Sequence, residues 1–196
     1  MADRTQTTAI ILAAGAGKRM GTPKALMTVD GQPWWRMQAD RLRAIGVPAL
    51  WIINEQVAAA MQGNTPPQHA VVDSSMPMLA SVLAGVRALA EYPPQGVFIL
   101  PIDTPAPRSQ VWADLAATNA VASPSVGGSS GHPLYAPWAW IADRLLTGSI
   151  NPDTDRLDTL IADDRVTVPT DDPDAITNLN RPEDLANWLE RQRNES

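Results

Sequence analysis

Residues 9–26 read A-I-I-L-A-A-G-A-G-K-R-M-G-T-P-K-A-L, an apolar run followed at once by a glycine-rich loop. The run at 9–12 does not alternate between apolar and polar residues, which is typical of a strand buried on both faces of a parallel sheet. The glycines at 15, 17 and 21 allow positive φ and a close approach to a ligand, and successive amide N–H groups in such a loop bind anions. Lys18, Arg19 and Lys24 add cations to the same loop. The combination indicates a phosphate site, because charge on a transferring phosphoryl group has to be neutralised by fixed donors.

Two better-known glycine motifs fit this loop poorly. The dinucleotide-binding fingerprint G-x-G-x-x-G opens a helix directly, whereas here the third glycine comes one position late, at Gly21, and Pro23 follows it. A Walker A loop needs Lys followed by Ser or Thr after its second glycine, and this pair is absent. The loop therefore disfavours a Rossmann dehydrogenase and a P-loop protein.

The rest of the chain alternates between strand and helix patterns. Buried strands are predicted at 49–53, 70–72 and 97–100, and helices at 33–46, where Gly46 is the stop, and at 78–91. The second half predicts helices at 108–119, 137–147 and 181–193, short strands at 134–135 and 166–168, and a mobile loop at 127–131. The alternation predicts an α/β fold: a doubly wound, Rossmann-like, mostly parallel sheet between two helix layers. No linker divides the chain, so residues 1–196 are expected to form a single domain.

The composition excludes several classes of site and partner. The chain has no cysteine and only two histidines, which excludes disulfides and thiolate metal sites and disfavours structural zinc. The formal net charge is -6 and no block of Lys or Arg stands out, so a nucleic-acid-binding face is disfavoured. No apolar run is long enough for a transmembrane helix, and the N-terminus lacks the charged region of a secretory signal. We therefore expect a cytoplasmic protein that binds neither nucleic acid nor membranes.

The glycine loop resembles L-A-A-G-x-G-x-R-M-G-x-P-K-x-L, the signature of the nucleotidyltransferase superfamily, whose sheet is of the nucleotide-diphospho-sugar transferase type. Within the superfamily the chain is most similar to the molybdenum cofactor cytidylyltransferases and guanylyltransferases, the MobA-like NTP transferases. The resemblance implies that the loop wraps an NTP, with Arg19 and Lys24 as catalytic stabilisers of charge. It also implies that the nucleotide is contacted by the loop residues Leu12, Ala13, Ala14, Gly15, Gly17 and Lys18.

Further motifs of this family follow in the same order. The turn and helix at 76–86 resemble S-S-S-L-x-x-G-L, which implies that Ser81 and Gly85 face the base and ribose. The segment L-P-I-D-T-P at 100–105 is similar to the D-x-P motif, which implies Asp103 as a catalytic residue and Mg²⁺ ligand just beyond the carboxyl end of a strand. G-S-S-G-H-P-L-Y at 128–135 resembles G-x-x-G-H-P-V and implies that His132 lines the site, although many relatives carry a basic residue between these glycines. N-L-N-R-P-E-D-L at 178–185 implies Asn180 as the second metal ligand, a residue that is also suited to cap the final helix.

The resemblance implies Mg²⁺-dependent transfer of an NMP from an NTP to a phosphorylated acceptor such as the molybdenum cofactor, with release of pyrophosphate. The spelling L-A-A-G is that of the cytidylyl branch, so CTP is favoured over GTP. The role also implies a molybdoenzyme or its chaperone as a protein partner. Two alternatives stay open: a sugar- or polyol-phosphate nucleotidyltransferase, and a nucleotide-binding protein without turnover. The second is motivated by the neutral Asn178 and Asn180 and by Ser129-Ser130 in place of a basic residue.

Overall fold

The computed structural model describes residues 6–17, 21–63 and 67–195, in which strands and helices alternate along the chain. The strands are β1 (Thr8–Ala13), β2 (Thr28–Val29), β3 (Gln32–Pro33), β4 (Ala49–Ile53), β5 (His69–Val71), β6 (Gly96–Pro101), β7 (Ala122–Val126), β8 (Ser129–Ser130), β9 (Leu134–Pro137) and β10 (Val166–Pro169). The helices are α1 (Trp34–Ala44), α2 (Glu55–Met61), α3 (Met78–Leu89), α4 (Ser109–Ala117), α5 (Trp138–Ile141), α6 (Leu157–Leu160) and α7 (Pro182–Glu195). Short 3₁₀ turns cover Lys24–Leu26 and Pro173–Ile176, and a π-helical turn, Ala142–Leu146, continues α5.

Among the described residues, eight strands form the main sheet, in the order β10-β7-β9-β6-β1-β4-β5, with β8 beside β7. β1 pairs in parallel with β4 and β6, β4 with β5, and β7 with β10. β9 runs antiparallel to both of its neighbours, β6 and β7. The predicted doubly wound, mostly parallel sheet is therefore confirmed.

Successive side chains of β1 enter two separate cores. Ile11 and Ala13 belong to a core with the tryptophans of α1, α4 and α7, whereas Ile10 and Leu12 belong to one with α3 and residues 134–161. Both faces of the strand are buried, which explains why its sequence is an unbroken apolar run. The two cores on opposite faces of the sheet make the predicted three-layer α/β/α arrangement. Among the described helices, none has the length and apolarity needed to cross a membrane.

The end of α1 confirms one local prediction. Gly46 has φ +73°, and its amide donates to the carbonyl of Arg43 at 3.1 Å. The amide of Val47 donates to the carbonyl of Leu42 at 3.0 Å. This is the Schellman pattern, in which a left-handed residue satisfies the last carbonyls of a helix.

The prediction of a mobile loop at 127–131 is wrong. Val126 pairs with Ser129, so that Gly127 and Gly128 form a two-residue hairpin turn between β7 and β8. Their φ values are +56° and +87°, and positive φ at both central residues is what the tight I′ hairpin turn requires. The strand β7 and the helix α2 were not predicted either.

Candidate active site

A cavity of about 260 Å³ opens at the carboxyl edge of the sheet, beyond the ends of β1, β5 and β6. Open α/β sheets bind their ligands at this edge. The cavity is lined by Leu12, Ala14, Gly15, Gly17, Lys24, Asp73, Ser74, Met76, Met78, Ser81, Pro101, Ile102 and Asp103. An adjoining cavity of about 510 Å³ shares Asp73 and Ser74 with it and extends towards the start of α2. The structure thus brings together the glycine loop, the serine of α3 and the strand-end aspartate that the motifs predicted.

The glycine loop folds back on itself at Gly17. This residue has φ +64°, and a Cβ atom built on it would lie 1.8 Å from the carbonyl oxygen of Thr22. No side chain fits this position, so the glycine is required by the shape of the loop itself. Lys18 and Arg19 lie outside the described residues, and their predicted contacts stay predictions. Among the described residues that line the cavity, Lys24 is the one cation.

Lys24 joins the two residues predicted as metal ligands. Its ammonium nitrogen Nζ lies 2.7 Å from Asp103 Oδ2 and 2.6 Å from Asn180 Oδ1. The side chains of Lys24 and Asp103 are 20% and 24% exposed, so the ion pair is partly shielded from water yet reachable by a ligand. Two oxygen atoms from distant parts of the chain therefore converge on one cationic group.

Three side chains on one face of α1 hold the loop that carries Asp103. Trp34 Nε1 donates to the carbonyl of Ile102 at 2.6 Å, and Arg41 Nη2 donates to that of Ala106 at 2.7 Å. The Oε1 atom of Gln38 accepts from the amide of Ala106 at 2.9 Å. These residues lie at positions i, i+4 and i+7 of the helix and so share a face. The aspartate is consequently presented by a loop whose backbone is hydrogen-bonded on both sides of it.

Asn180 reaches the site because its segment is bonded to the same loop. The amide of Leu179 donates to the carbonyl of Asp103 at 2.8 Å. Asp184 Oδ2 accepts from the amides of Asn180 and Arg181, at 2.9 and 2.8 Å, and so satisfies the donors that precede α7. The sequence also suited Asn180 to cap the final helix, but α7 begins two residues later, at Pro182, and the Asn180 side chain accepts a hydrogen bond from Lys24 instead.

Asn54, which was not predicted, fixes the start of the glycine loop. Its buried side chain donates from Nδ2 to the carbonyl of Ala14 at 2.9 Å and accepts from the amide of Val57 at 2.9 Å. The residue is the N-cap of α2, so one amide group both starts this helix and ties it to the loop. The sequence signal that could have predicted this role is an asparagine, a common N-cap residue, directly after a predicted strand and before an alanine-rich segment.

The wall between β5 and α3 also contains residues that were not predicted. Asp73 Oδ1 accepts from the amide of Ser75 at 2.8 Å, and this bond lowers the pKa of the Asp73 carboxyl. The carboxylate is exposed and lines both cavities. Met76 and Met78 line the first cavity although they are 48% and 55% exposed, and they offer it a deformable apolar surface.

Two predicted binding residues point elsewhere. Ala13 belongs to the core on the other face of β1 from Leu12, because neighbouring side chains alternate across a strand. Gly85 is buried against β1, where a Cβ atom would lie 2.8 Å from the side chain of Ile10. It permits close packing of helix on strand and does not line the cavity, whereas Ser81, one turn earlier, does.

His132 lies just before β9, and its segment is bonded to the turn that precedes Thr177. Its amide donates to the carbonyl of Ala175 at 2.7 Å, and a Cβ atom on the preceding Gly131 would lie 2.0 Å from the same oxygen. Its buried Nδ1 has no hydrogen-bond partner among the described residues. Burial lowers the pKa of His132, and the negative charge of Asp103 partly opposes that shift. The imidazole does not line the cavity, but it interacts electrostatically with Asp103.

The two oxygen atoms that contact Lys24 are of a type that binds hard divalent cations. Mg²⁺ is commonly held by one or two protein oxygens, and the substrate phosphates and water complete its coordination. Asp103 and Asn180 supply two such oxygens, which already converge on one positive charge. No cluster of three or more His, Asp or Glu suited to a metal occurs elsewhere in the part of the chain that the structure describes.

The whole chain is similar to known nucleotidyltransferases. The sequence model of the MobA-like NTP transferase domain matches residues 9–166. A molybdenum cofactor guanylyltransferase of Sinorhizobium fredii is 30% identical over 217 residues, which cover 97% of this chain and 97% of that protein. A protein of the same name from Rhodobacter capsulatus is 30% identical over 203 residues, which cover 94% of this chain and 95% of the relative.

The fold has counterparts among solved structures. A nucleotidyl transferase from Methanothermobacter thermautotroptrophicus superposes with a TM-score of 0.75 at 18% sequence identity, over 97% of this chain and 99% of that one. The chain belongs to the MobA-like NTP transferase family and is a nucleotidyltransferase.

Proposed function

We propose that this chain transfers GMP from GTP to a phosphate group of the molybdenum cofactor and releases pyrophosphate. The relatives that span nearly its whole length are named as guanylyltransferases of this cofactor. They do not support the preference for CTP that the L-A-A-G spelling suggested. The proposal rests mainly on one observation: Lys24 bonds to both Asp103 and Asn180 beside the cavity that the glycine loop lines. We also propose that residues 1–196 act as a single domain, because one sheet carries both helix layers.

We infer that Asp73, which lines both cavities, contacts the base, and its chemistry then favours guanine. An ionised carboxylate only accepts hydrogen bonds. Guanine presents two adjacent donors on its Watson–Crick edge, N1–H and N2–H₂, which match the two oxygens of a carboxylate. Cytosine presents one donor next to acceptors, which a carboxylate repels. The lowered pKa of Asp73 keeps this side chain in its accepting form.

The reaction we propose is an in-line displacement. An oxygen of the acceptor phosphate attacks the α-phosphorus, the bond from this phosphorus to the bridging oxygen of the β-phosphate breaks, and pyrophosphate leaves. No general base is required, because an ionised phosphate is already a nucleophile. Catalysis then consists of positioning and of neutralising charge.

The residues of the chain divide these tasks. The backbone of the glycine loop orients the triphosphate, and Lys24 and Arg19 neutralise its charge. Asp103 and Asn180 hold Mg²⁺, which when bound neutralises charge on the phosphate oxygens. His132, which interacts electrostatically with Asp103, is the residue that we propose contacts a phosphate of the acceptor.

A pyrophosphate-release screen tests the proposal. The purified chain is incubated with Mg²⁺ and each of GTP, CTP, ATP and UTP, together with the molybdenum cofactor or a sugar phosphate. We expect release with GTP and the cofactor, its loss in Lys24→Ala, and its retention in the distant control Arg43→Ala. Release with a sugar phosphate but not with the cofactor would support a sugar-phosphate nucleotidyltransferase instead. NTP binding without release in any combination would indicate a binding protein without turnover.

A further inference from the structure

The Lys24 ammonium lies between Asp103 and Asn180, the two residues that the motifs predict as metal ligands. It bonds to one oxygen of each residue, at 2.7 and 2.6 Å. The two oxygens come from segments that are bonded to each other through Leu179 and Asp103, so their spacing does not depend on the lysine alone. The ammonium group of Lys24 is thus held between two oxygen atoms of the kind that bind Mg²⁺.

This ammonium and a divalent ion exclude each other on the same side of the two oxygens. Mg²⁺ binds oxygen at about 2.0–2.1 Å, so an ion bound to both oxygens from the side that the lysine occupies would come too close to the lysine nitrogen. Charge repulsion between the two cations adds to the steric conflict and is strong at such short distances. The lysine and the metal therefore compete for one position.

We propose that Lys24 is an internal occupant of the metal position, which the nucleotide has to draw away before Asp103 and Asn180 can bind the metal. The inference rests on the proposed function, in that the triphosphate is the ligand that attracts the lysine. Lys24 lies on a short 3₁₀ turn and is partly exposed, so its flexible side chain can move from the two oxygens to phosphate oxygens without a change of fold. Metal binding is then coupled to nucleotide binding, and the empty enzyme discriminates against free divalent ions.

Titration of the nucleotide-free protein with Mn²⁺ tests this competition. Free Mn²⁺ is measured by its electron paramagnetic resonance signal, which is lost on binding. Removal of the ammonium in Lys24→Met eliminates two charge-assisted hydrogen bonds that compete with the metal, so we expect Mn²⁺ affinity to rise by about tenfold or more. Lys24→Arg keeps a cation at this position and should bind Mn²⁺ as weakly as the wild type.

Two controls identify the cause of the gain. Arg43→Met removes one positive charge from an exposed ion pair with Asp40 on α1, and it should leave Mn²⁺ affinity unchanged. The double variant Lys24→Met/Asp103→Ala should lose the gain. Lys24→Gln repeats the measurement with a polar side chain in case methionine disturbs the turn, and circular dichroism verifies folding.

Equal Mn²⁺ affinity in the wild type and in folded Lys24→Met and Lys24→Gln would overturn the inference, and so would an equal gain in Arg43→Met. The titration contains no nucleotide and no acceptor. A failure of the proposed transfer reaction would therefore leave this result unaffected, and a failure here would leave the proposed reaction intact.

Discussion

The carbonyl oxygen of Asp103 accepts a hydrogen bond from the amide of Leu179 at 2.8 Å. This backbone contact links the loop after β6 to the segment before α7, from which Asn180 reaches Lys24. The candidate site thus draws residues from all three thirds of the chain, and its geometry depends on packing between elements that are far apart in sequence.

Lys24→Ala is expected to abolish turnover and leave the fold intact. The side chain is partly exposed, so its truncation leaves no buried cavity. Loss of one fixed donor to developing charge typically lowers kcat by about 10²–10³-fold. Steady-state pyrophosphate release, with circular dichroism as a check of folding, measures both effects. Wild-type rates in the variant would contradict the role of this lysine.

Asp73→Ala is expected to weaken the preference for GTP over CTP. The variant loses the carboxylate that we match to the two donors of guanine, and the loss of hydrogen bonds to a charged group costs about 1.5–3 kcal/mol, or roughly 10–150-fold in the ratio of kcat/KM values. The same assay with both nucleotides measures that ratio. Asp114→Ala, on α4, is a matched control that should leave it unchanged. An unaltered ratio in Asp73→Ala would exclude this aspartate from base recognition.

Gly17→Ala and Gly15→Ala are expected to differ sharply. Alanine at 17 would require positive φ and would place its Cβ 1.8 Å from the Thr22 carbonyl, so the loop has to change shape and nucleotide affinity should be lost. Around Gly15 a Cβ meets nothing within 4 Å, and the loop should keep its conformation. Nucleotide binding by calorimetry and thermal unfolding compare the two. Wild-type nucleotide affinity and thermal stability in Gly17→Ala would show that the loop tolerates a side chain at this position.

Asp174→Ala is expected to destabilise the protein strongly. This buried carboxylate accepts hydrogen bonds from Arg41, Arg191 and Trp188, and its removal leaves two guanidinium groups without a counter-charge. Breaking a buried pair in this way costs about 3–5 kcal/mol of the free energy of unfolding. Urea unfolding measures the loss, and the exposed Asp171→Ala serves as the control with little effect. A loss no larger than that of the control would show that the cluster does not stabilise the fold.

His132 is expected to make stability fall in mildly acidic solution. Burial lowers its pKa in the folded state, so below the ordinary value of about 6.5 the unfolded chain binds the proton more readily. The free energy of unfolding then decreases as the pH drops through and below 6.5, and this contribution is absent at higher pH where both states are neutral. Urea unfolding at pH 7.5 and 5.5 should show a smaller decrease in His132→Gln than in the wild type. An identical decrease would mean that the imidazole is not buried in its neutral form.

The sheet was predictable because strands buried on both faces leave an unbroken apolar run, as at Ala49–Ile53. The strand β7 was not predictable, because it contains Pro124 and two serines, which are poor strand formers. The segment is extended because it pairs between β10 and β9 in the sheet. Helix α2 is seven residues long, too short for a clear periodicity.

The candidate site was predictable in its ligand types more than in its contacts. The motifs predicted Lys24, Asp103 and Asn180 as site residues. The hydrogen bonds among them join residues far apart in sequence, so they could not be predicted without the fold. Gly85 shows the opposite case: a glycine in a binding motif serves packing against Ile10, which no local pattern could distinguish from contact with a ligand.

Isotope transfer from labelled GTP tests the proposed reaction most directly. The enzyme is incubated with the molybdenum cofactor and Mg²⁺, together with GTP labelled with ³²P at either the α- or the γ-phosphate, and the products are separated. Cleavage between the α- and β-phosphates predicts that the α label moves onto the acceptor and that the γ label is recovered in pyrophosphate. Recovery of the γ label on the acceptor, or no α label there, would contradict nucleotidyl transfer to the molybdenum cofactor.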